Sequence, residues 1–145
     1  MKWARSVGCP WSAITFRNAA LSGRDDLIEY LYANRCPWNE DVCRSAATGG
    51  HLAVLKWLRK KGCPWSDSTC NAAAKKGNLE ILKWARSNGC IWNESTCGAA
   101  AVGGHLEVLK YLRENRCPWD SFTYNSALMA GHHDVAQWAR RHGCM

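Results

Sequence analysis

Asn39-Glu40-Asp41-Val42-Cys43-Arg44-Ser45-Ala46-Ala47-Thr48-Gly49-Gly50-His51-Leu52-Ala53-Val54-Leu55-Lys56-Trp57-Leu58-Arg59-Lys60-Lys61-Gly62-Cys63-Pro64-Trp65 is a 27-residue stretch whose landmarks recur along the chain. Its closing tripeptide matches Cys9-Pro10-Trp11, Cys36-Pro37-Trp38, Cys90-Ile91-Trp92 and Cys117-Pro118-Trp119, and Cys144 stands where a sixth would begin. Gly23, Gly50, Gly77, Gly104 and Gly131 keep the same 27-residue step with no insertion or deletion. A fixed period of this size marks an architecture of stacked repeats, in which each unit buries its apolar face against its neighbours.

Each unit reads as two short helices. Ser12, Asn39, Ser66, Asn93 and Asp120 follow the loop tryptophans, and their side-chain oxygens suit the unpaired N–H groups of a first helical turn. The repeated glycine suits the left-handed residue that ends such a helix. A second helix follows, as in His51-Leu52-Ala53-Val54-Leu55-Lys56-Trp57-Leu58-Arg59, and closes on basic residues and usually glycine before Cys-Pro-Trp, where proline prevents continuation. On the first helix, positions equivalent to 16, 19, 20 and 23 share a side. They read Phe16, Cys43, Cys70, Cys97, Tyr124, then alanine throughout at 19, then Ala20, Ala47, Ala74, Ala101, Leu128. This is the expected buried face. Positions equivalent to 14, 17, 18 and 21 differ from copy to copy and are expected on the opposite, open face.

Composition narrows the function. The 145 residues are 47% hydrophobic and 21% charged with a net charge of +7, a folding composition whose basicity admits acidic partners. No apolar run reaches the ~18 residues of a membrane span, and Met1-Lys2-Trp3-Ala4-Arg5 lacks the apolar stretch of a signal peptide. A cytoplasmic or nuclear, reducing location is expected, without membrane association. The nine cysteines contain no Cys-x-x-Cys pair, so neither a zinc site nor a disulfide framework is expected. They are expected as free thiols, with Cys43, Cys70 and Cys97 buried. No phosphate loop, paired-acid constellation or nucleophile motif occurs. Neither a cofactor nor catalysis is expected; the protein is read as no enzyme.

Gly104-His105-Leu106-Glu107-Val108-Leu109-Lys110, preceded by Ala100-Ala101, resembles the ankyrin repeat, as do Ala46-Ala47-Thr48-Gly49-Gly50-His51-Leu52 and Ala73-Ala74-Lys75-Lys76-Gly77-Asn78-Leu79-Glu80. The unit is most similar to the short Cys-Pro-Trp ankyrin-type repeats of large DNA viruses of protists and of some algae and oomycetes. It departs from the ordinary pattern in its period, 27 residues against the usual ~33, and in replacing Thr-Pro-Leu-His by Ser68-Thr69-Cys70-Asn71 and Ser95-Thr96-Cys97-Gly98. The missing residues fall where ankyrin repeats carry a β-hairpin finger. The expected fold is all-α, an ankyrin-like α-solenoid of helix-turn-helix repeats with fingers shortened or absent. It forms one repeat domain over 1–145: a partial repeat 1–11, full repeats 12–38, 39–65, 66–92 and 93–119, and a final repeat 120–145.

The resemblance implies a protein-protein interaction module that binds through the concave face. In this sequence the variable positions are Ile14, Arg17, Leu21, Asp41, Arg44, Thr48, Ser68, Asn71, Lys75, Ser95, Gly98, Val102, Phe122, Asn125 and Met129. Changes at Arg44, Asn71, Lys75, Gly98 and Val102 are expected to abolish binding with little effect on stability. The partner is an unidentified protein, a host protein in the host cytoplasm if the chain is viral. A monomer is expected, with end-to-end association as the alternative. The alternative functions are nucleic-acid or anionic-surface binding through a basic stripe that includes Arg59, Lys60, Arg86 and Arg113, or a structural spacer. The loop tryptophans are expected as wedges between repeats. His51, His105 and His132 are expected to bond across their turns. The ends, residues 1–11 and 132–145, are expected to be the least protected.

Overall fold

A computed structural model of the chain describes residues 11–144; the partial repeat, Trp11 excepted, lies outside them, as does the expectation of weak protection there. The described residues form ten α-helices and no strand: α1 Ala13–Ser22, α2 Asp25–Ala33, α3 Glu40–Gly49, α4 Leu52–Lys60, α5 Asp67–Lys76, α6 Leu79–Ser87, α7 Glu94–Gly103, α8 Leu106–Glu114, α9 Ser121–Met129 and α10 His133–Arg141. The fold is all-α and built of helix-turn-helix repeats. Two compact units divide the chain between Thr69 and Cys70. In the first, α1 packs on α2, α3 on α4, and the two first helices, α1 and α3, lie side by side. In the second, the same relations hold for α7 with α8, α9 with α10, and α7 with α9. This is the stacking of an α-solenoid within each unit.

Local chemistry sets the helix boundaries. Asn39 Oδ1 accepts the Asp41 N–H at 3.0 Å, Asn93 Oδ1 that of Ser95 at 2.9 Å and Asp120 Oδ1 that of Phe122 at 3.0 Å. Ser12 and Ser66 do the same through their hydroxyls at 3.2 Å. At the other end of α3, Gly50 takes φ 78° and the following His51 N–H reaches back to the Ala46 carbonyl at 2.9 Å. The turn before Cys-Pro-Trp also needs a left-handed residue. Gly62 and Gly89 provide it at φ 91° and 90°, but Arg35 and Arg116 occupy the same position at 58° and 66°, where an L side chain is strained.

The alanine columns are buried as expected, and close helix packing requires their small size. In the first unit Ala19, Ala20, Ala46 and Ala47 sit among Phe16, Ile28, Leu31, Val54, Leu55 and Leu58. In the second, Ala100, Ala101 and Ala127 are buried together with Val108, Leu109, Leu112 and Val135. Two corrections follow. Leu128, in the alanine column, is exposed. A further column, Val42, Thr69, Thr96 and Thr123, is fully buried, so the core face of the first helix is wider than its apolar periodicity indicates.

Neighbouring repeats are keyed together by histidine and glycine. His51 Nε2 lies 3.0 Å from the Leu21 carbonyl of the preceding repeat, and its ring fills the space a Cβ at Gly23 or Gly49 would need. His105 stands likewise against Gly77 and Gly103, and His132 against Gly104. His51 therefore bonds backwards onto the previous repeat, and each of the three rings packs against a glycine of the repeat before it, His51 and His105 against a glycine of their own turn as well. The loop tryptophans behave as wedges: Trp11 meets Tyr30, Trp92 meets Tyr111 and Trp119 meets Trp138 at ring separations of 5.8, 6.1 and 5.9 Å.

Candidate protein-binding face

In the first unit, Ile14, Arg17 and Leu21 fall on one stripe of α1, and Asp41, Arg44 and Thr48 on the corresponding stripe of α3. Ile14 is 55% and Leu21 43% exposed; neither apolar side chain is covered by its own repeat. Arg44 pairs with Asp41 at 3.4 Å in an exposed contact, and such pairs contribute little to stability. Thr48 turns its hydroxyl back onto the Arg44 carbonyl at 2.9 Å. Ser68, beside the cap of α5, lies 2.8 Å from the Ser66 hydroxyl.

In the second unit, Asn71 and Lys75 stand on α5, Ser95, Gly98 and Val102 on α7, and Phe122, Asn125 and Met129 on α9. Phe122 is 53% and Met129 90% exposed, and the exposed Leu128 beside Met129 belongs to the same apolar area. Sequence comparison missed Leu128 because its column was read as core; its signal was being the only departure from alanine there.

Two of the positions are corrected. Gly98 is buried, not open: a Cβ there would overlap the Phe122 ring. Asn71 is half-buried and accepts the Thr96 hydroxyl at 2.5 Å, tying one first helix to the next. Asn71 thus faces Thr96, and Gly98 faces Phe122, of the following repeat. Bulky substitutions at Gly98 or Asn71 consequently disturb packing, contrary to the expectation of unchanged stability.

The basic stripe has a structural use beyond its place near the helix ends. Arg59, Arg86 and Arg113 each lie over the tryptophan six residues on, at 4.4 Å from the ring centre of Trp65, Trp92 and Trp119. Each also donates to the carbonyl of the cysteine four residues on, at 2.6, 3.2 and 2.6 Å for Cys63, Cys90 and Cys117. The arginine clasps its own loop. Tyr32 takes this place in the first described repeat, with its ring 5.2 Å from Trp38. Lys61 lies over Tyr32 and Trp57.

The thiols form a second internal ladder. Cys63, Cys117 and Cys144 donate to the carbonyls of Asn39, Asn93 and Asp120 at 3.5, 3.3 and 3.0 Å. Hydrogen bonding to Cys90 and to Cys117, reinforced by burial, pushes the Cys70 and Cys97 thiols far above their ordinary range. They are poor nucleophiles, since the thiolate is the reactive form. Cys36 corrects the expectation of nine free thiols, because it is disulfide-bonded; seven other described cysteines are reduced. Among the described residues no group of three or more His, Cys, Asp or Glu side chains gathers around a potential metal position, and no helix is long and apolar enough to cross a membrane.

Fold and surface together define a helical repeat protein. No protein-family model and no curated protein matches the chain.

Proposed function

We propose that this chain is an ankyrin-type protein-binding module that takes its partner on the variable face of the first helices. The observation that carries the reading is the placement of large exposed apolar side chains. Ile14 and Leu21 on α1 of the first unit, and Phe122 and Met129 on α9 of the second, occupy the positions that vary between repeats, and exposed apolar side chains grouped on one face of a unit mark interaction surfaces. The engagement of Arg59, Arg86 and Arg113 with their own loops favours this reading over nucleic-acid binding by the basic stripe. A spacer would have no use for uncovered apolar side chains at these positions. The partner is a protein, and a host protein if the chain is viral.

The test is affinity capture from lysate with the immobilised chain, comparing wild type with Leu21→Asp and Met129→Asp, alongside RNA and DNA binding at increasing salt. Loss of one captured protein in both variants, at unchanged melting temperature, is the expected result. Tight nucleic-acid binding that falls steeply with salt and ignores both substitutions overturns the reading.

A further inference from the structure

Thr123 Oγ1, like Thr69 Oγ1 of the same column, is buried and has no hydrogen-bond partner among the described residues. The preceding repeat shows what is missing. There Thr96, at the equivalent position, accepts the Asn93 backbone N–H at 3.1 Å and donates to Asn71 Oδ1 at 2.5 Å. One period on from Asn71 stands Gly98, which has no side chain to offer. Glycine is the only such residue in its column, otherwise Arg17, Arg44, Asn71 and Asn125. The space beside it is taken by the ring of Phe122, since a Cβ on Gly98 would overlap that ring. Phe122 too is exceptional, for the two repeats before it carry Ser68 and Ser95 at this position.

An unpaired buried hydroxyl is destabilising, and one carbonyl oxygen removes that penalty. We propose that Gly98 and Thr123 form a notch, covered in the free protein by the Phe122 ring, that receives a carboxamide side chain from the partner. The inference rests on the protein-binding reading and names the partner's chemistry. Phe122 swings aside, an option open to a ring that is 53% exposed. The incoming asparagine or glutamine oxygen then accepts the Thr123 hydroxyl as Asn71 accepts that of Thr96. The displaced ring lies against the apolar part of the same partner segment, beside Val102 and Met129. An aromatic anchor beside a desolvated polar contact is the usual composition of a binding hot spot.

Random dodecapeptides displayed on phage are the probe, selected on the full chain and then measured against three variants. Thr123→Val removes only the donor, and Val42 already occupies this column fully buried in another repeat, so the variant folds. Gly98→Asn combined with Phe122→Ser rebuilds the Asn71–Thr96 arrangement from within and closes the notch. Phe122→Ser alone separates loss of the ring from closure. Selected peptides are expected to share one asparagine or glutamine and to lose at least tenfold in affinity for Thr123→Val. Binding to the double variant is expected to be absent, while Phe122→Ser retains part of it, and replacing the shared residue by alanine matches the Thr123→Val loss. Peptides that share aspartate or glutamate instead, or that bind Thr123→Val as tightly as wild type, overturn the notch while leaving the binding face intact. No enrichment of any peptide overturns both.

Discussion

Replacing Arg35 and Arg116 by glycine is expected to stabilise the protein although it removes two charged side chains. Both residues hold the left-handed backbone at φ 58° and 66°, which costs an L-residue ~1–2 kcal/mol. Glycine removes that strain and gives back ~0.5–1 kcal/mol because its unfolded chain is freer. The net gain is about 0.5–1 kcal/mol per site. Both side chains are exposed, and neither joins an ion pair among the described residues, so little is lost with them. The sites lie in different units and the gains should add. At ~2–4 °C per kcal/mol for a chain of this size, the double variant melts roughly 2–8 °C higher, as read by circular dichroism or calorimetry. Gly62 and Gly89 supply the reverse experiment: an added Cβ meets nothing within 4 Å at either, so alanine there tests backbone strain alone. Each substitution should cost about 1 kcal/mol. A lower melting temperature for the glycine variants, with neutral alanine variants, would refute the assignment of strain to this turn.

The clasp predicts that Arg113→Ala costs about 2 kcal/mol in denaturant unfolding, from a charge-assisted hydrogen bond and a partly exposed cation–π contact. Arg113→Lys should recover less than half, since an ammonium cannot cover the ring and reach the Cys117 carbonyl together; full recovery by lysine contradicts the geometry. Gly49→Ala should cost on the order of 2–4 kcal/mol because its Cβ overlaps the Leu21 carbonyl and the His51 ring, and His51→Ala should relieve part of that loss. The raised Cys70 and Cys97 pKa values keep these thiols protonated in the native state while the unfolded chain ionises. Stability is therefore fully present below the ordinary thiol pKa and falls above it, by up to about 1.4 kcal/mol per pH unit per thiol. Melting temperatures from pH 7 to 10 check this, and Cys70→Ala with Cys97→Ala should flatten the decline. Ellman titration should find the seven reduced thiols slow in the native protein and fast after denaturation without reductant; rapid native reaction contradicts their burial.

The features legible in the sequence were those that local chemistry decides. Asn39 and Asp120 cap helices because an Asx oxygen can reach N–H groups two residues away, whatever lies around it. The alanine columns followed from comparing the repeats with one another, and the absence of a strand among the described residues from the resemblance to ankyrin repeats with the residues of the finger missing. Thr69, Thr96 and Thr123 were missed because a periodicity argument is anchored on apolar side chains, and threonine gives no sign of which half of it is buried. Gly98 was misplaced for a different reason. Variation between repeats identifies positions free of a common constraint, and Gly98 answers to a private one, the Phe122 ring of the next repeat. The arginine clasp was within reach: Arg59, Arg86 and Arg113 each stand four residues before a cysteine and six before a tryptophan. Their place near helix ends had supplied a sufficient reason for positive charge, which hid the second one.

The histidine that fills the wall of Gly23 and Gly49 has a bearing on how such a chain can change in length. The arginine clasp closes within six residues, so a duplicated unit carries it whole. The histidine belongs to one unit and its glycine wall partly to the unit before, so a junction works only when both sides keep register. An insertion of one residue in the first helix would turn the histidine ~100° about the helix axis, away from the carbonyl it meets. Growth or loss by whole units passes this filter and slippage by single residues does not. That is a mechanical reason for the repeats that carry His51, His105 and His132 to keep an unbroken step of 27 from the repeat before.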